Sequence, residues 1–93
     1  MAKATGNLYV VTYDIADDGT RVKVANLLKS YGERVQLSVF ECWLNPREFG
    51  DLKHRIRDKI DLANDSVRFY RPQGEVVVLG VGPVPQEEDF FLS

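Results

Sequence analysis

The stretch that most restricts this chain is Leu8-Tyr9-Val10-Val11-Thr12-Tyr13-Asp14-Ile15-Ala16-Asp17-Asp18, an apolar run that ends abruptly in carboxylates. Its β-branched and aromatic residues suit a pleated, packed surface, so the run reads as a buried strand and Asp14 falls where that strand leaves the sheet. A carboxylate there has a fixed direction and a low-dielectric flank, which suits it to grip a hard divalent cation or to orient a water. Asp is equally an ordinary residue for a strand-to-helix turn, where its side chain accepts backbone N–H groups. Asp17 and Asp18 fit that turn role, because they lie just before a helix whose positive N-terminal end favours negative charge.

Thr20 is placed to cap this first helix, and Val24, Leu27, Leu28 and Tyr31 follow the three-and-four spacing of one buried stripe. Gly32 then reads as the glycine just past a helix end. The opposite face carries Arg21, Lys23 and Lys29, and Arg21 lies in the first turn, within reach of a phosphate held near Asp14. From Glu33 to Leu44 the chain reads as β, with Val35, Leu37, Val39, Glu41 and Trp43 on one side and Gln36, Ser38, Phe40, Cys42 and Leu44 on the other. Asn45-Pro46-Arg47-Glu48 opens a second helix with an N-cap, a proline at the first position and a capping-box glutamate. Phe49, Leu52, Ile56, Ile60 and Ala63 form its apolar stripe, and Asp51 is placed to pair with Arg55.

Asn64-Asp65 breaks that helix, Ser66 to Arg71 alternates like a strand, Pro72 to Glu75 is a turn, and Val76 to Val81 is a β run that predicts a hairpin. Gly82-Pro83-Val84-Pro85 forces an extended connector, since the prolines cannot join a central strand. The terminal Phe90-Phe91-Leu92 calls for a partner surface, for which another subunit's sheet edge is a candidate. This order predicts an α+β sandwich with two helices on one face of a sheet. A single middle strand would run parallel to the first, whereas a bend near Leu37-Ser38 would give βαββαβ. Those two residues are poor hairpin-turn types, so local chemistry leaves both open.

The 93 residues bound the chain to one small domain, 1–93, with an ordinary globular composition of 44% hydrophobic and 28% charged residues. The lone Cys42 inside an apolar run reads as a buried filler in a reducing compartment. His54, the only histidine, sits among Lys53, Arg55 and Arg57 and reads as part of a solvated helix face. No Cys/His metal spacing, secretory leader or bilayer-length apolar run is present, so the expected location is the cytoplasm, with no membrane partner. The net charge of -2 conceals a segregation: residues 19–74 hold eleven Lys/Arg against seven Asp/Glu, while both ends are acidic. A basic middle can meet a polyanion such as nucleic acid, although a mixed solvated surface is the default reading.

Tyr13-Asp14-Ile15, Asp17-Asp18, Arg21-Val22-Lys23-Val24, the run from Tyr31-Gly32-Glu33 through Cys42, and Asp65-Ser66-Val67-Arg68-Phe69-Tyr70 together resemble the CRISPR-associated protein two family. These are small endoribonuclease-like proteins that accompany the CRISPR integrase. The resemblance implies a ferredoxin-like βαββαβ sandwich with additional C-terminal strands, in which the middle segment bends into two strands. It implies a symmetric homodimer, with residues 82–93 a C-terminal extension that pairs with the partner subunit. It also implies that Asp14 from both subunits holds one divalent metal, Mg2+ or Mn2+, at a catalytic centre. The implied activity is a metal-dependent endonuclease acting on single-stranded RNA, double-stranded DNA or both, which also forms the scaffold of the integrase complex in spacer acquisition. Tyr13, Arg21, Arg34, Ser38 and Phe40 fall on the positions that bind nucleic acid or support the site; for Phe40, lining the groove, stacking on a base and filling the core all stand open. The alternatives are a non-catalytic DNA-binding and integrase-bridging module, or a toxin-like ribonuclease of similar fold.

Overall fold

In the computed structural model, which describes residues 6–82, six elements follow one another. They are β1 (Asn7–Asp14), α1 (Asp18–Lys29), β2 (Gly32–Gln36), β3 (Val39–Leu44), α2 (Pro46–Arg57) and β4 (Ser66–Tyr70). The sheet order is β2-β3-β1-β4 and every neighbouring pair is antiparallel, which is the ferredoxin-like α+β sandwich.

Alternation along β1 sets the layers. Tyr9, Val11 and Tyr13 are buried with Phe40, Cys42 and Leu44 of β3, under Val24, Ala25 and Leu28 of α1 and Leu52 and Ile56 of α2. Leu8, Val10 and Thr12 face the other way and are only half-buried, so β1 is covered on one face rather than both. Phe49 docks α2 by stacking on Tyr9 at 4.4 Å between ring centroids and meeting Phe69 edge-on.

The middle segment bends at Leu37-Ser38, although neither residue takes a positive φ. A register shift between Arg34 and Gln36 places Val35 in a bulge, which adds the twist that the turn residues do not supply. Contacts from β1 hold the bend: the Tyr13 N–H donates to the Ser38 carbonyl at 3.2 Å, and the Tyr13 hydroxyl to the Leu37 carbonyl at 3.3 Å.

Several local expectations are corrected. Asp17, not Thr20, is the N-cap of α1, its carboxylate accepting the Thr20 N–H at 2.8 Å. Ser30, with right-handed helical backbone, caps the other end, and Gly32 opens β2 instead of terminating the helix. Asn45 and Glu48 form the expected capping box, but α2 stops at Arg57, leaving Ile60 and Ala63 beyond it. Asp61 ends the apolar stripe by accepting from the Ala63 N–H and the Asn64 side chain, a local turn that competes with another helical turn. Asp51 and Arg55 form no ion pair on α2; instead the His54 imidazole lies 3.7 Å from the carboxylate of Asp58 at the helix end. Val76 to Val81 does not fold back as a hairpin; it stays unpaired within the described residues, with Leu79 90% and Val81 99% exposed. Gly82 is its last described residue, so the proline connector beyond it and Phe90-Phe91-Leu92 lie outside the described residues.

Gly32 is required by close approach. A Cβ there would press on the Glu41 carbonyl and stand 2.6 Å from the Cys42 sulfur. Gly32→Ala is therefore expected to destabilise the domain by about 1–3 kcal/mol in urea titration. Gly50, mid-helix with open space around it, should behave oppositely, with Gly50→Ala stabilising by about 0.5–1 kcal/mol. Burial pushes the Cys42 thiol up to about 12, with the Glu41 carboxylate adding to the rise. Iodoacetamide at neutral pH should leave the native protein unlabelled and alkylate Cys42 only after denaturation, as mass spectrometry would report.

Candidate functional site

The end of β1 opens into a cleft of about 590 Å³ between α1 and the β2–β3 bend. Tyr13, Asp14, Arg21, Arg34 and Ser38 all line it, together with Ile15, Val22, Ala25, Asn26, Lys29 and Leu37. Five of the six residues singled out from sequence thus share one concavity, although they come from β1, α1, β2 and the bend. Phe40 is the exception. It is 0% exposed in the core, so it neither lines the groove nor offers a face to a base; it packs beneath the Arg34 guanidinium, 5.3 Å from its ring centroid.

Asp14 is exposed at the last position of β1, opposite Ser66 of β4. Tyr13 beside it is buried, and its hydroxyl accepts from Arg34 at 3.5 Å while donating to the Leu37 carbonyl. This chain ties Arg34 of β2 to the strand that carries Asp14. Arg21 has partners of its own: one guanidinium nitrogen donates to the Ile15 carbonyl at 2.8 Å and the Ala16 carbonyl at 3.4 Å, and the other pairs with Asp18. Its geometry therefore braces the turn that follows Asp14, a role that its position in the first turn of α1 did not announce.

Asn26 and Lys29 were not picked out as site residues from sequence. In the sequence Lys29 is one of three bases on the face opposite the buried stripe of α1, and only the packing of α1 beside the bend brings it to the cleft. The helical spacing Val22, Asn26, Lys29 was the available signal.

Among the described residues, no group of three or more His, Cys, Asp or Glu stands ready to hold a metal. Asp14 nonetheless fits a share in a hard-cation site: its carboxylate is exposed, supplies oxygen ligands, and has no ion-pair partner among the described residues. One chain offers a single such group, and magnesium-like ions take several oxygens while keeping waters, so a symmetric second copy would complete the set.

An antiparallel β2-β3-β1-β4 sheet carrying two helices on one face, with an acid at the exit of its first strand and arginines around it, defines a ferredoxin-like α+β protein built around a strand-end cleft. The family described as CRISPR associated protein Cas2 matches residues 7–76, and the chain belongs to that family. It is 62% identical over 79 residues to CRISPR-associated endonuclease Cas2 2 of Thermus thermophilus, covering 85% of this chain and 88% of the relative. It is 49% identical over 70 residues to CRISPR-associated endoribonuclease Cas2 3 of Synechocystis sp., covering 75% and 76%. Among solved structures, a hypothetical protein from Thermus thermophilus superimposes with a TM-score of 0.81 at 59% identity, covering 89% of this chain and all of that one. Streptococcus pyogenes Cas2 gives a TM-score of 0.70 at 41% identity, covering 78% and 99%. Among the described residues, no helix is long and apolar enough to cross a membrane.

The cap at the head of α1 yields a pH-dependent test. The Thr20 N–H and then its hydroxyl hold the Asp17 carboxyl below its ordinary 3.8. Because the folded value is the lower one, the cap's contribution is complete above 3.8 and disappears as pH falls through the depressed value. Asp17→Ala should lower the melting temperature at neutral pH, and thermal scans should show the gap to the parent protein closing on strong acidification.

Proposed function

We propose that this chain acts in CRISPR spacer acquisition as a homodimeric, metal-dependent endonuclease on single-stranded RNA, double-stranded DNA or both, and as the scaffold on which the integrase subunit assembles. The observation that carries the reading is the exposed Asp14 sharing one cleft with Tyr13, Arg21, Arg34 and Ser38 in a member of the Cas2 family. The relatives' names, endonuclease and endoribonuclease, support the reaction class.

In this reading Asp14 of each copy contributes to one Mg2+ or Mn2+ site. When bound, the cation supplies positive charge against the charge that develops on a phosphodiester under attack. Arg34, with no carboxylate partner among the described residues, holds a phosphate oxygen. Tyr13 keeps Arg34 aimed through its hydroxyl, Ser38 offers a hydroxyl at the bend, and Arg21 keeps the turn after Asp14 in place.

Two features support a second copy. The helix-free face of the sheet leaves Leu8, Val10, Val39 and Trp43 half-buried, and the Trp43 Nε1 group is enclosed without an acceptor among the described residues. The run through Val77, Leu79 and Val81 has the alternation of a strand but pairs with no strand among the described residues. Residues 82–93, of which 83–93 lie outside the described residues, follow in the sequence and would form the extension that pairs with the partner subunit. A non-catalytic DNA-binding and integrase-bridging module remains the second reading, favoured by the single acid per chain, and it places the protein in the same cytoplasmic assembly.

Purified protein incubated with single-stranded RNA or duplex DNA, in magnesium or in EDTA, separates the two. Asp14→Asn is expected to reduce cleavage on the order of a hundredfold or more, the scale seen when a charge-stabilising group leaves an active site, while sedimentation still shows a dimer. EDTA should abolish cleavage in the parent protein. Cleavage persisting in Asp14→Asn would discard the catalytic assignment, and a monomeric parent protein would discard the shared metal site.

A further inference from the structure

The cations lining the cleft are not equivalent. Arg21 is already engaged by the Ile15 and Ala16 carbonyls and by Asp18. Arg34 lies over the Phe40 ring and donates to the Tyr13 hydroxyl, and no carboxylate among the described residues neutralises it. Lys29 is exposed in the last turn of α1, again without an acid partner among the described residues, and Asn26 precedes it by one turn on the same wall. The charge available to a ligand therefore sits along the cleft, not at its Asp14 end.

Eight residues of helix at 1.5 Å each put Lys29 roughly 12 Å along α1 from Arg21. That is too far for Lys29 to serve a phosphate lying beside Asp14. A small anion would need one such station. A cleft that continues past Arg34 to a second cation fits a chain of phosphates. Its apolar lining points the same way: Val22, 57% exposed, and Leu37, 83% exposed, both line the cleft and offer contact to bases. Only an unpaired strand presents its bases to such side chains, because in a duplex they are stacked inside.

We propose that Lys29 and Asn26 form a second phosphate-binding station, so that a single-stranded nucleic acid lies along the seam between α1 and β2 from the Asp14 end, past Arg34, to the end of α1. The inference rests on reading the cleft as a nucleic-acid site, but it does not depend on cleavage.

The test is fluorescence anisotropy in EDTA, with labelled oligo-uridylate, the matching oligo-thymidylate and a hairpin duplex as probes, across a salt series. Lys29→Ala should weaken single-strand binding several-fold and lower the slope of log affinity against log salt by about 0.7, the value for one phosphate contact on a single strand. Lys29→Arg should restore the slope, and Asn26→Ala should weaken binding without changing it, since an amide releases no counterion. Lys59→Ala, which removes the same charge beyond α2, should leave binding as in the parent protein. Circular dichroism guards against misfolding. A slope lowered by about 0.7 in Lys29→Ala, in a protein that does not cleave, supports the station while retiring the nuclease reading. An unchanged slope and affinity in Lys29→Ala, or a Lys29-dependent preference for the duplex, overturns the proposal.

Discussion

Strand β1 is paired on both sides, with β3 from Asn7↔Leu44 to Thr12↔Val39 and with β4 from Val10↔Tyr70 to Asp14↔Ser66. This double pairing fixes the direction in which Tyr13 and Asp14 point, because successive side chains on a strand face opposite ways. Tyr13 turns into the core and holds the β2–β3 bend by two hydrogen bonds, while Asp14 emerges at the rim. A one-residue slip in either ladder would exchange the two and close the site. The cleft is thus a consequence of register, not of a separate binding loop.

Arg21 illustrates how the same residue type can read as a ligand and act as a brace. A guanidinium has several donors in a rigid planar fork, so it can hold two carbonyls and a carboxylate at once in fixed directions, where a lysine offers a compact point charge. Its bonds to Ile15 and Ala16 satisfy carbonyls in the turn that joins β1 to α1, the segment on which the position of Asp14 depends. The positive charge left for a polyanion passes to Arg34 and Lys29. The basic middle of the chain therefore divides into bases that build the site and bases that face out of it.

The other half of the molecule is shaped by what a single chain leaves uncovered. Both helices lie on one face of the sheet, and the opposite face sets Glu33 directly across from Glu41. Partial burial, with repulsion from Glu33 second, raises the Glu41 carboxyl above its ordinary value. Such a face, beside an unpaired strand-like run, is consistent with a surface completed by another molecule.

What the amino-acid order determined was whatever acts within a few residues. The capping box of Asn45 and Glu48, the strand from Leu8 to Asp14 and the alternation of Ser66 to Tyr70 are all local signals, and each is where the pattern places it, as are Val24 and Leu28 of the first helix and Leu52 and Ile56 of the second. The resemblance of the motifs added the bend and the grouping of candidate residues, which local chemistry alone had left open. Tertiary structure decided the rest. The bend at Leu37-Ser38 is held by Tyr13, more than twenty positions away; Gly32 is required by β3, not by the helix before it; Phe40 is enclosed because it joins the core that β1, α1 and α2 build over it, with Arg34 lying against its ring; and Lys29 joins the cleft because α1 packs beside the bend. In each case the partner belongs to another element of the fold, so the outcome depends on how the elements pack and not on the local pattern of either one.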